Sequence, residues 1–216
     1  MRMAYDPCLL FKKMRMYTST ICQLAYGTVP DNIDEYLQKG QATAHLSLEQ
    51  ILTYVMDIFG SDYLRKPTIF DIGKLYERNK EKHGLPRMLG CLDCTDWEWF
   101  GCPVTHKAQY CRRDLGPDPF ILLEVVASKD LWIWHAFLGY YLCDGIYPEW
   151  VPFVNSVTNL FDGDYKRLRY KRMHEGAKKD VEQAFGALKN KWAILATPAQ
   201  ANIKEKLVNI MYACII

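Results

Sequence analysis

Long hydrophobic runs are missing from this chain. No stretch approaches the roughly 18 consecutive apolar residues of a membrane-spanning helix, which argues against a membrane-embedded protein. The amino-terminal MRMAYDPCLLFKKMRMY is no secretory signal, because its apolar run is short and more basic residues follow it. An excess of one charge sign is missing too: 27 Lys and Arg stand against 25 Asp and Glu. The resulting net charge of +2 neither supports nor excludes a nucleic-acid partner, since only a binding face has to be basic. Eight cysteines are scattered without a regular framework, which reads as free thiols in a reducing compartment. Internal repeats and low-complexity tracts are absent. What is present is a half-hydrophobic chain of 216 residues, enough for a real core in one large domain or two small ones. The expectation is a soluble intracellular protein.

The chain divides by pattern. Residues 1–76 read as helical: Thr18, Ile21, Leu24 and Ala25 fall at helical spacing, and Gly27 closes that helix. A turn at Pro30-Asp31-Asn32 leads into the short segment IDEYLQK, with Gly40 as its C-cap. A longer periodic run follows, with Leu46, Leu48, Ile51, Leu52, Val55, Met56 and Phe59 on a broad apolar face. Short helix, turn and longer helix are compatible with a helix-turn-helix, although most helical pairs joined by a short turn bind nothing. ERNKEKHGLPRM, residues 77–88, is polar, carries Gly84 and Pro86, and reads as a linker.

Residues 89–216 begin with strands. GCLDCTDWEWF places Asp93, Thr95, Trp97 and Trp99 on one face of an extended chain. LGPDP forces a turn at 115–119 before the buried strand FILLEVVA; LWIWHAFLG and GYYLCDGIY are further strand-like runs. Val181, Phe185, Leu188 and Trp192 then mark one face of an amphipathic helix, and an apolar helix from about Lys204 to Ile216 ends the chain. Strands followed by helices suggest an α/β or α+β domain behind the helical region.

Three carboxylates stand where a core would not choose them. Asp93 lies inside an apolar strand, Asp144 at the end of the run YYLC, and Glu182 beside Val181 at the border of the amphipathic helix. Acids at strand ends and on a helix edge can converge at the carboxyl edge of a sheet. Converging carboxylates repel and persist as a set only with cations to neutralise them. Two divalent ions about 3.5–4 Å apart would do so, and would activate water for attack on a phosphodiester. The plainer alternative makes Asp93 and Asp144 turn or cap residues and Glu182 a solvated helix charge.

Four long segments in order, GCLDCTDWEWFGCPV, QYCRRDLGPDPFILLEVVASKDLWIWHAFLG, GYYLCDGIYPEWVPFV and AKKDVEQAFGALKNKWAI, resemble the catalytic domain of the Harbinger family of DNA transposases and the nuclear nucleases derived from them. LAYGTVPDNIDEYLQKGQATA and DIFGSDYLRKPT resemble its plant branch. The resemblance implies an α/β fold: a ribonuclease-H-like mixed sheet with flanking helices, preceded by a helical DNA-binding region. It implies metal-dependent DNA hydrolysis with Mg²⁺ or Mn²⁺, in which Asp93 bridges two ions and Asp144 and Glu182 each hold one. It further implies DNA as partner, alone or with a separate DNA-binding protein, and a nuclear location.

The chain departs from that family at three places. Relatives carry a further segment between HAFLG and GYYL, with a glycine-rich turn, another aspartate and a helix, whereas here Leu138-Gly139-Tyr140 joins the two motifs directly. The strands holding LWIWHAF and YYLCD would run parallel, and parallel strands need a crossover of a dozen or more residues. Either the first strand gives up its end as the connection, or Asp144 does not reach Asp93. Relatives also continue beyond MYACII, and they commonly have histidine where this chain has Asp96.

Other site readings compete. Cys91, Cys94, Cys102 and His106 match no common zinc spacing, and a strand points Cys91 and Cys94 to opposite faces. Nothing in the sequence marks a cysteine nucleophile paired with His135 as activated. Lys166, Arg167, Arg169, Lys171, Arg172, His174, Lys178 and Lys179, interleaved with Tyr165 and Tyr170, lead toward Glu182 and could track phosphates, or simply be solvated.

Overall fold

The computed structural model describes residues 7–27, 37–38, 40–111, 117–127, 133–134, 140–143, 153–157 and 164–216. They form two compact units, and neither is continuous in sequence. One comprises residues 1–63, 97–121 and 188–216, the other residues 64–96 and 122–187.

In the first unit, α1 (Pro7–Tyr26) ends at Gly27, whose φ of 60° is left-handed and whose amide donates to the Gln23 carbonyl at 3.0 Å. A side chain there would meet Thr197 Oγ1 at 2.8 Å, so glycine is required twice over. The buried face of α1 overlaps the expected one only at Leu24. Ser19, Thr20 and Gln23 are buried with Leu24, while Ile21 faces out with Phe11, Met14 and Tyr17. The Gln23 amide bridges to the Ala44 carbonyl of α2 (Gln41–Tyr63) at 3.3 Å. α2 likewise buries Ala44, Ser47 and Leu52, and exposes Leu46 and Phe59 from its expected apolar face. Small and polar residues bring these helices close, and the larger apolar ones face outward. The short helix expected over IDEYLQK lies almost wholly outside the described residues. Gly40 accepts from the Thr43 and Ala44 amides and so starts α2, while Gln38 holds the left-handed conformation.

The second unit begins with α3 (Ile69–His83), which overturns the expected linker: residues 77–83 are helical. Polar composition was misleading because Leu75 and Asn79 face the core, with Asn79 Nδ2 donating to the Met88 carbonyl at 2.8 Å. Thr68 and Asp71 form a capping box at its start, and Gly84 (φ 68°) closes its end.

The sheet follows: β1 (Met88–Glu98), β2 (Phe120–Ala127), β3 (Ile133–Trp134), β4 (Tyr140–Cys143) and β5 (Phe153–Asn155), in the order β3-β2-β1-β4-β5. β2 and β3 pair antiparallel, whereas β1 with β4 and β4 with β5 pair parallel. A helix of 27 residues, α5 (Tyr165–Lys191), is preceded in the chain by the short α4 (Val104–Tyr110) and followed by a 3₁₀ turn (Ala193–Leu195) and α6 (Lys204–Ile215). One sheet face packs Met88, Cys91, Val125, Ala127 and Leu142 against Ala177, Val181, Ala184 and Phe185 of α5. The other packs Leu89, Leu92, Val126, Tyr141 and Cys143 against Ile72 and Leu75 of α3. A mixed sheet between helices is the expected α/β class, consistent with an incomplete ribonuclease-H-like sheet.

The crossover question is answered in part. Gly90 lies against Val126 and Ala127, and Trp99 donates to the Pro119 carbonyl at 2.7 Å, so β1 and β2 are antiparallel. β3 therefore runs parallel to β4, with two strands between them. Of the long expected strand LWIWHAFLG, only Ile133–Trp134 is described as strand. Six peptide steps from Trp134 to Tyr140 reach about 20 Å, and three inter-strand spacings take about 14 Å. That length suffices for the connection, and β4 pairs with β1.

Within the first unit, the end of β1 is fastened to the chain after the 3₁₀ turn. Trp97 Nε1 donates to the Thr197 carbonyl at 2.8 Å, Trp99 Nε1 to that of Ala201 at 2.6 Å, and the Ala199 amide to that of Glu98 at 2.8 Å. Gly101 fits there only as glycine, because a Cβ would lie 2.2 Å from the Gln200 carbonyl oxygen.

Candidate acidic site

The parallel register of β1 and β4 decides which side chains can meet. It runs Met88↔Tyr140, Gly90↔Tyr141 and Cys91↔Leu142, with an irregularity at Gly90, where a side chain would press on the Ala127 carbonyl at 2.7 Å. Asp93 stands two residues beyond Cys91, on the strand face that packs against α5. It is partly exposed, and its Oδ1 accepts the Cys94 amide at 2.9 Å. Asp144 stands two residues beyond Leu142 in the sequence and lies outside the described residues. Glu182 is exposed on α5, immediately after the fully buried Val181. Strand β1 with Asp93 and helix α5 with Glu182 thus share one side of the sheet. Among the described residues, no group of three His, Cys, Asp or Glu side chains is gathered as a metal site.

Sequence reasoning passed over Asp180, the most constrained acid in this region. It is 5 % exposed, on the buried face of α5 with Ala177, Val181 and Ala184. Its carboxylate pairs with Lys82 Nζ through Oδ1 and with His83 Nε2 at 2.8 Å through Oδ2. A buried carboxylate needs such partners, and these come from the last turn of α3, where cations also suit the helix dipole. Asp180 therefore ties the helix that leads into β1 to the helix that bears Glu182. The clue was available: helical spacing puts Asp180 among apolar residues, although nothing in the sequence names its partners.

Charges crowd around Cys91. Burial, first, pushes its thiol well above the ordinary range; the Asp180 and Asp93 carboxylates add to this, and the Lys178 and Lys82 ammonium groups oppose it. Burial likewise raises the Cys102 thiol and pushes that of Cys214 up to about 12. Thiols held protonated are poor nucleophiles and poor zinc ligands. His135 lies outside the described residues.

The basic stretch 166–179 is part of α5, whereas the sequence suggested a run leading into a helix. His174 leaves the phosphate-tracking set: it is fully buried, with Nε2 3.2 Å from the Val154 carbonyl oxygen of β5. Lys166, Arg167, Arg169, Arg172 and Lys179 are exposed. Asp96 is exposed as well, at the carboxyl end of β1.

A family model described as plant transposon protein matches residues 61–140 and 138–216. The two matched stretches meet at residues 138–140, around Gly139. No curated protein and no solved structure matches the chain.

Proposed function

Because this chain belongs to the plant transposon protein family, we propose that it is a transposase-derived DNA endonuclease of the Harbinger type, with its activity reduced by the missing central segment. The observation that carries this reading is the pairing of β4 beside β1, with Asp93 on the face covered by the helix of Glu182. In sequence Asp144 follows Leu142 by two residues, as Asp93 follows Cys91, the register partner of Leu142. Carboxylate oxygens from two neighbouring strands and a helix are the hard donors that Mg²⁺ and Mn²⁺ take. Asp93, Asp144 and Glu182 would hold these ions, which when bound supply an activated water for phosphodiester hydrolysis. The chain itself contributes position. Asp93 is fixed by its bond to the Cys94 amide, and Glu182 by a helix anchored through Asp180. The expected partner is DNA and the expected location the nucleus. The amino-terminal helices would contribute to DNA binding.

Plasmid nicking with Mn²⁺ or Mg²⁺ tests this. Wild-type chain should nick, and Glu182→Gln should lose at least the roughly 10–100-fold that an outer-shell defect at a metal site costs. Equal nicking by both, or none by either, defeats the enzyme reading. A second reading, a non-catalytic DNA-binding or adaptor remnant, is favoured by the break in the family match at residues 138–140. It predicts no nicking with DNA retention that weakens steeply with salt.

A further inference from the structure

Helix α5 carries nine Lys and Arg against three acids, and these acids are already engaged or set apart. Glu175 meets Lys171 at 3.7 Å, Asp180 is buried against Lys82 and His83, and Glu182 belongs to the site described above. Just ahead of the helix, Asp164 holds Arg167 at 3.2 Å. Arg169, Arg172 and Lys179 remain exposed, with no ion pair among the described residues. At 3.6 residues per turn they fall within about 80° of arc, on the side away from Ala177, Val181 and Ala184. Arg169 and Arg172 are three apart, a like-charge spacing that destabilises a helix in isolation. The stripe is about 15 Å long and ends one turn before Glu182.

We infer that Arg169, Arg172 and Lys179 form a rail for the phosphates of one DNA strand beside Glu182. This rests on the DNA reading above and adds to it a surface that needs no base contact. Over about 15 Å of duplex axis one strand presents about four phosphates, enough to meet all three cations. Contacts of this kind position the duplex without reading its sequence. The bland alternative, a solvated charge run, predicts no specific dependence on these three residues.

The test measures retention of a short fluorescent DNA duplex of arbitrary sequence by the full chain, across a salt series without divalent metal. The triple variant Arg169→Gln, Arg172→Gln, Lys179→Gln should bind more weakly. Its slope of log K against log salt should flatten by about 2 to 3, at roughly 0.9 per lost phosphate contact. A charge-matched variant, Lys80→Gln, Lys107→Gln, Lys204→Gln, changes exposed residues outside α5 and outside the amino-terminal region 1–76. It should keep the wild-type slope. An unchanged slope in the α5 variant, or equal flattening in both, overturns the rail and leaves the DNA reading standing. A wild-type chain that fails to retain the duplex even at low salt overturns the DNA reading, and the rail with it.

Discussion

Helices α1 and α5 make opposite use of amphipathic spacing. α5 buries Ala177, Val181, Ala184 and Phe185 and shows its charges, Asp180 excepted, at least partly to solvent. α1 buries Ser19, Thr20 and Gln23 and exposes Phe11 by 63 % and Ile21 by 55 %. The difference lies in what each helix packs against. A sheet face is broad and apolar, so it takes a stripe of medium-sized side chains. Helix α2 offers Ala44 and Ser47, so α1 approaches it closely through small and polar groups. Apolar periodicity locates a helix in both cases, but it names the buried side only where an apolar partner awaits it.

The largest effect expected from this contrast is in the sheet unit. Leu142 is fully buried in β4, within the core shared with α5. Leu142→Ala should cost about 2–5 kcal/mol, as deletions in well-packed cores do. Ile21→Ala, equally apolar in sequence, should change stability by no more than about 0.5 kcal/mol. Urea unfolding of the two variants compares them directly. Similar losses would mean that the outer face of α1 is covered after all, and the contrast would fail.

A smaller effect probes the exception within the sheet unit, the one acid on the buried face of α5. Asp180→Asn removes the charge shared by Lys82 and His83 while keeping the shape. Losing one partner of a buried pair costs roughly 3–5 kcal/mol. Lys82 is partly solvated, its side chain 35 % exposed, so about 2 kcal/mol is expected here. The loss should persist at high salt, because a buried pair is poorly screened. A cost below about 0.5 kcal/mol would make Asp180 an ordinary surface charge, and would remove its part in holding the helix of Glu182.

The two regions also differ in how much of them was legible in the sequence. FILLEVVA is β2 to the residue, Lys204 starts the last helix, and Gly27 closes α1, because alternation and caps are local. β5 went unseen, since three residues carry no period. Residues 77–83 were misread as linker because a helix needs only a narrow buried stripe, here Ile72, Leu75 and Asn79. At the site, Asp93 and Glu182 stand out in the sequence by their apolar neighbours and by motif. Asp180 shares that clue, but its partners, 98 and 97 residues away, are not legible in the sequence. His174 reads as basic surface until β5 is known to lie over it. Local chemistry marks the elements, and long-range pairing decides which side chains are inside.

The smallest effect tests whether local chemistry also fixes the start of the sheet unit. Asp71 closes the capping box of α3: its Oδ2 accepts from Arg65 Nη1 at 2.7 Å, from Thr68 Oγ1 at 2.7 Å and from the Thr68 amide at 2.9 Å. The Arg65 guanidinium first, then the Thr68 hydroxyl and amide, hold this carboxyl well below its ordinary 3.8. The folded chain therefore keeps Asp71 charged where the unfolded chain begins to protonate it. Its contribution is fully present above about pH 4 and drains away as pH falls below that. Asp71→Asn should cost about 0.5–1 kcal/mol at neutral pH, the lower range for a cap in a partly exposed setting. Thermal melts of the two proteins should converge as the pH is taken toward 2, because the unfolded wild-type chain takes up a proton there that the folded chain does not. A gap that stays constant from neutral pH to pH 2 would mean that the cap acts through shape alone, with the Arg65 pair contributing nothing.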